Sequence, residues 1–152
     1  MTVRAHLYNI MTDNKLSHTK WDCKYHIVFI PKYRNKAIYG KVRSYLKDAL
    51  HRLASQKGSI IEEGYLMKDH VHMLISIPPK YSVSSLVGYL KGKTAIFISQ
   101  KIAKRKLSKG YHFWARGYFV STVGFTEKNI REYIKNQEKR DKELESRDLF
   151  NY

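Results

Sequence analysis

The stretch His70-Val71-His72-Met73-Leu74-Ile75-Ser76-Ile77 alternates in character along its whole length. In an extended chain successive side chains point to opposite sides. Val71, Met73, Ile75 and Ile77 therefore share one face, and His70, His72, Leu74 and Ser76 share the other. The apolar set must lie against a core, which leaves both imidazoles side by side on the open face. Pro78-Pro79 ends the strand. Just before it, Lys68-Asp69 is all that separates it from a second β-rich run over 59–67. So short a connection predicts an antiparallel hairpin.

Working outward, residues 21–30 are rich in aromatic and β-branched types and stop at Pro31, which reads as a further strand. Val42, Leu46, Ala49, Leu50 and Leu53 form a helical stripe closed by Gly58. A second helix follows Ser82, with Val83, Leu86, Val87, Leu90, Thr94, Phe97 and Ile98 as its apolar side. A fourth strand is expected near 117–123, broken by Gly124, and Thr126 caps a last helix running to about Lys142. The order is strand, helix, strand, strand, helix, strand, helix. Its first six elements are those of a split βαβ unit. The fold expected is α+β and ferredoxin-like: a four-stranded antiparallel sheet with helices on one face, plus a C-terminal helix. Residues 17–142 read as one domain, with a polar lead-in at 1–16 and a tail at 143–152.

The chain has 152 residues, and 29 lysines and arginines against 13 acids give a formal charge of +16. That excess calls for a polyanionic partner, nucleic acid before an anionic membrane surface. No apolar run approaches the roughly 20 residues of a membrane helix. Cys23 is the only cysteine, which excludes an intrachain disulfide. A cytoplasmic protein is expected.

Two imidazoles at i and i+2 on one strand face are close enough to share a divalent cation, although His-x-His on a solvated strand also arises by chance. The last helix adds to the pattern. Tyr133 and Gln137 are four apart and lie one turn above the other, beside an apolar pair, Ile130 and Ile134. A glutamine carbonyl can serve as a neutral oxygen ligand, and a tyrosine one turn away can act as a covalent nucleophile once its phenol is deprotonated or the phosphate is polarised by a metal. Tyr133 alone would carry no weight in a chain with 12 tyrosines.

His70-Val71-His72 followed by Tyr133-Ile134-Lys135-Asn136-Gln137 resembles the single-tyrosine HUH (His, hydrophobe, His) transposases of bacterial and archaeal insertion sequences. Lys24-Tyr25-His26-Ile27-Val28-Phe29, Pro31-Lys32-Tyr33-Arg34 and the run 114–124 are similar to that family too, so the resemblance covers roughly 18–140. It implies that His70, His72 and Gln137 bind a divalent ion, magnesium or manganese. It further implies that Tyr133 attacks the scissile phosphate of single-stranded DNA to give a 5′-phosphotyrosine and a free 3′-hydroxyl. The partners implied are DNA hairpins at element ends and a second copy of the chain, in a homodimer whose active sites are shared between subunits.

Suitable phosphate contacts are Lys32, Arg34, Lys91 and Lys93, and the basic link that holds Lys104, Arg105 and Lys106. Tyr33, Tyr111, Phe113 and Trp114 are aromatic neighbours of basic residues, able to stack on bases but individually better explained as core. Two other readings stay open. One is a host-domesticated relative acting on repeated palindromes. The other is a non-enzymatic ferredoxin-like RNA-binding module, which would present aromatics rather than histidines on its central strands.

Overall fold

The structure is a computed structural model that describes residues 15–16, 19–103, 112–122 and 127–150. Two short strands, β1 (Lys15–Leu16) and β2 (Thr19–Lys20), pair as an antiparallel ribbon. The main sheet contains β3 (Lys24–Phe29), β4 (Ile60–Met67), β5 (His70–Ser76) and β6 (Phe119–Ser121). Its order is β4-β5-β3-β6 and every pairing is antiparallel. Helices α1 (Gly40–Gln56) and α2 (Val83–Phe97) occupy the two crossovers, and α3 (Glu127–Phe150) follows β6. This is the ferredoxin-like arrangement expected from the element order.

Alternation decides which face is which. Val71, Met73 and Ile75 of β5 and Ile27 and Phe29 of β3 are at most 1% exposed. They share one core with Leu46, Leu50 and Leu53 of α1 and Leu86, Val87 and Leu90 of α2. The Ser82 hydroxyl caps α2 by accepting from the Ser85 amide at 3.1 Å, and Gly58 turns the chain out of α1 at φ 62°. Phe97 departs from its expected burial. It lies at the rim, stacked on Tyr45 with centroids 3.9 Å apart, where the last turn of α2 widens into a π turn over Ile98–Ile102.

Three boundaries differ from the sequence expectation. β6 is shorter, because Gly117 at φ 82° turns the chain just before it. The 15–16 stretch pairs with 19–20 rather than standing outside all structure. The last helix runs to Phe150, past Lys142. Its later turns are polar and carry pairs such as Lys142–Glu138 at 3.0 Å, which support a solvated helix without an apolar stripe.

Candidate active site

The register assembles the open face in cross-strand rows. Tyr65, His72, Val28 and Phe119 stand in one row, and Glu63, Leu74, His26 and Ser121 in the next. A bulge between Ile61 and Glu63 brings Glu63, rather than Glu62, into register with Leu74. His70 pairs with Met67 one row further on, so His70 and His72 share this face as their alternation requires. His72 is flanked on both sides. Its Nε2 lies 3.5 Å from Nδ1 of His26, and its ring stacks on Tyr65 with centroids 5.5 Å apart. Burial lowers the His72 pKa, and the neighbouring His26 and His70 lower it further, against a weaker opposing pull from Glu63. A neutral imidazole is the form that binds a metal.

His70 is oriented from behind. Its Nδ1 is 2.8 Å from Oδ1 of Asp69, and the other oxygen of Asp69 accepts from Nε of Arg34 at 3.0 Å. A carboxylate on one ring nitrogen fixes the tautomer and leaves the other nitrogen as the ligand, the usual backing of a metal-binding histidine. Burial alone would raise the Asp69 carboxyl, but the hydrogen bonds from His70 and Arg34, with their charges, hold it below its ordinary range.

Helix α3 lies over the same face, on the β3–β6 side. The Tyr133 ring sits 5.9 Å from Phe119, in the row of His72 but two strands away, about 10 Å at the usual strand spacing. Ile134 is buried with Ile30 and Ala115, and Tyr133 packs against that small cluster. The Tyr133 hydroxyl is buried and finds no hydrogen-bond partner among the described residues. Burial pushes its pKa well above that of a free phenol; Arg140 opposes the rise and Asp141 adds to it. Gln137 is buried too, and its side-chain amide donates to the carbonyl of Arg116.

The structure thus brings His70 and His72 together and stands Tyr133 and Gln137 on one side of a helix above the same sheet face. It shows no direct contact between the two groups. Among the described residues no three His, Cys, Asp or Glu side chains converge on a cation position. Two imidazoles, one backed by a carboxylate, remain a chemically apt pair for a divalent ion whose further ligands are amide or solvent oxygens.

Comparison with known proteins shows which family the chain belongs to. A family model described as "Transposase IS200 like" matches residues 19–137. The transposase for insertion sequence element IS200 of Salmonella typhimurium is 47% identical over 134 residues, covering 87% of this chain and 88% of its own length. The ISDra2 transposase TnpA of Deinococcus radiodurans is 35% identical over 120 residues, covering 77% and 85%. The chain belongs to the IS200-like transposase family. The fold agrees: the crystal structure of a candidate transposase from Deinococcus radiodurans superposes with a TM-score of 0.71 at 30% identity, covering 81% of this chain and 96% of the other. A REP-associated tyrosine transposase bound to a REP hairpin shares the fold at a TM-score of 0.53 and 12% identity, covering 79% of this chain and 68% of that one.

The basic residues of this transposase divide into kinds. Lys91 is half-buried, and its ammonium donates to the carbonyls of Ala115 at 2.6 Å and Gly117 at 2.8 Å, so it serves the fold rather than the surface. Burial lowers its pKa to about 8. Arg34 is ion-paired to Asp69 and to Glu138. Lys32 leans on the Tyr33 ring at the mouth of a groove of about 320 Å³ that His112, Arg116 and Glu145 also line. Lys93 is exposed on α2, near the Tyr89 ring. Lys104, Arg105 and Lys106, with Tyr111, lie outside the described residues. Phe113 and Trp114 belong to the core, with the Trp114 indole donating to Thr94 at 3.0 Å. No helix among the described residues is long and apolar enough to cross a membrane.

Three participants have no role of their own in the sequence reading. His26 lies in the family-like stretch 24–29, but it reaches His72 only through strand pairing. Asp69 stands in the hairpin connection and in the family-like run into His70 and His72, without an assigned role. Asp141 is 5% exposed at the position four beyond Gln137, and accepts from the Tyr33 amide at 3.1 Å. The i, i+3, i+7 spacing of Ile134, Gln137 and Asp141 was the signal for it.

Proposed function

We propose that the chain cleaves and rejoins single-stranded DNA at the ends of an insertion sequence through a 5′-phosphotyrosine at Tyr133. The observation that carries this reading is the pairing of His70 and His72 on the open face, one backed by Asp69, with the helix of Tyr133 and Gln137 docked over that same face. In this reading His70, His72 and Gln137 hold a divalent ion, magnesium or manganese, which when bound polarises the phosphate to be cut. The Tyr133 oxygen forms a bond to phosphorus, the bond from phosphorus to the 3′-oxygen breaks, and that oxygen leaves as a 3′-hydroxyl after taking a proton. The phenol proton is lost as attack proceeds. The phosphodiester is conserved in the Tyr133 ester, so a second 3′-hydroxyl can reverse the step and join new ends.

Tyr133 is held protonated and away from solvent by its packing on Phe119 and the Ile30 cluster, so it must move to attack. A homodimer with sites shared between subunits supplies a route for that movement. The partner proposed is single-stranded DNA with subterminal hairpins. The charge of +16 supports it, as does the hairpin carried by the REP-associated relative. Exposed Lys93, Lys32 and the basic link of Lys104, Arg105 and Lys106 are the phosphate contacts proposed.

The test is a denaturing gel of the protein mixed with labelled single-stranded DNA that carries the ends of its own element, with and without manganese. A metal-dependent covalent adduct is expected. It should vanish in Tyr133→Phe and in His72→Ala, with the latter still folded by circular dichroism. An adduct that survives in Tyr133→Phe would move the nucleophile elsewhere. Salt-sensitive binding with no adduct across substrates and metals would favour a binding module.

A further inference from the structure

Among the α3 residues whose side chains are described, 132–145, the buried hydrophobic contact is the cluster of Ile134, Ile30 and Ala115, with Tyr133 packed against it. Much of the remaining attachment is polar and falls on one turn, residues 32–34. The Tyr33 amide donates to Asp141, and the Arg34 guanidinium reaches Glu138 at 3.4 Å. Two of its three residues are in the left-handed region, Tyr33 at φ 59° and Arg34 at φ 53°. Two consecutive non-glycine residues rarely adopt it, and such strain persists only where surrounding contacts hold it. Besides backbone bonds from Lys32 to Phe113 and within the turn, side-chain contacts hold it from α3 on one side and from Asp69 on the other.

Arg34 is the joint between them. Its Nε meets Asp69, whose second oxygen holds His70, while its Nη1 meets Glu138, the residue after Gln137. We infer that Arg34 is a positioning residue which couples the seating of the tyrosine helix to the orientation of His70. With α3 seated, the guanidinium spans two carboxylates and Asp69 is held square to the His70 ring. With α3 lifted, Arg34 loses Glu138, the strained turn loses its support from Asp141, and Asp69 is no longer fixed from behind. A planar fork with several donors suits this task, and a lysine ammonium does not. The coupling is reciprocal by thermodynamic necessity: whatever steadies His70 also steadies α3.

This inference rests on the proposed metal role of His70 and His72, and the test separates the two. Manganese affinity of the full-length protein without DNA is measured by the loss of the free-ion electron paramagnetic resonance signal. Amide exchange along 127–150 is followed in parallel. Arg34→Ala is expected to bind manganese about tenfold more weakly, the lower end of the usual cost of losing an outer hydrogen-bond partner. Arg34→Lys should not recover it. Glu138→Gln keeps the size of the side chain and alters, among the described residues, the contacts with Arg34 and Lys142; it should weaken binding several-fold. Manganese should slow exchange in α3 of the wild type and slow it less in Arg34→Ala, where only the proposed ligand Gln137 still links the ion to the helix. If Glu138→Gln binds like the wild type and manganese slows α3 exchange as much in Arg34→Ala as in the wild type, the coupling is overturned while the metal site stands. If the wild type shows no manganese binding that His72→Ala removes, the metal reading fails and this inference falls with it.

Discussion

Replacing Tyr133 with phenylalanine should make the metal-free protein more stable. The Tyr133 hydroxyl is buried against Phe119 and the Ile30 cluster and has no hydrogen-bond partner among the described residues. A polar group buried without a partner costs about 1–3 kcal/mol, and since the side chain is only partly enclosed the lower end applies, about 1 kcal/mol. With a urea slope of about 2 kcal/mol per molar, the midpoint should rise by about 0.5 M. Thermal melting should rise by about 2–4 °C. The assay is equilibrium urea unfolding of both proteins, without metal or DNA, at equal ionic strength. Tyr89→Phe is the control, because the Tyr89 hydroxyl donates to Gln56 and its loss should leave the midpoint level or lower it slightly. A midpoint that falls in Tyr133→Phe would mean that the hydroxyl is well partnered in the free protein. The proposed nucleophile would then not be held in a dry, non-attacking position.

Two further outcomes follow from the same geometry. In the metal-free protein His26→Asn should raise the His72 titration midpoint, because it opens the site to water and removes a neighbouring imidazole; a proton-titration series by NMR that shows no rise would refute the pairing. Lys91→Met should destabilise the fold by about 2 kcal/mol in urea unfolding, since two carbonyls lose a charged donor. Its pH dependence has a definite sign: the folded-state pKa of about 8 lies below the 10.5 of an ordinary lysine, so the unfolded chain binds more protons between those values. Wild-type stability relative to Lys91→Met should therefore rise as pH increases across that window.

The strand alternation of 70–77 was enough to place both histidines on the open face, because period two leaves no freedom once Val71, Met73 and Ile75 are committed to the core. The order of elements was equally legible. What could not be read locally were the partners across strands and between distant segments. His26 meets His72 through a register spanning 46 residues, and Arg34 meets Glu138 across 104. Lys91 shows why charge in a sequence is an unreliable guide to a DNA surface. From spacing it stands on a helix beside Lys93, yet it passes its ammonium inward to close the 115–117 carbonyls. The end of α3 was misjudged for a related reason. A helix supported by i, i+4 ion pairs has no apolar stripe to mark its length.

The segment beneath α3 fixes where the helix sits, and under the proposed mechanism it must also let the helix go. Phe113 accepts from the Lys32 amide, Ala115 donates to Ile30 and accepts from Lys91, Arg116 accepts from Gln137, and Gly117 accepts from Lys91. That run is fixed by the core independently of α3, with Trp114 buried as its anchor. A helix landing on it finds a rigid seat: one apolar notch for Ile134, one carbonyl for Gln137, and the 32–34 turn for Glu138 and Asp141. Gln137 and Asp141 are buried at this seat and the Arg34–Glu138 pair is partly exposed, but most of these contacts are polar, and water takes the place of such bonds when the helix departs. A large apolar interface would hold α3 permanently, and no seat at all would leave Tyr133 and Gln137 without a defined approach to the histidines. Accurate seating that can be released is what a mobile nucleophile requires, and the residues that provide it are those of the 32–34 turn and the 113–117 run, neither of which touches the reacting phosphate in the mechanism proposed.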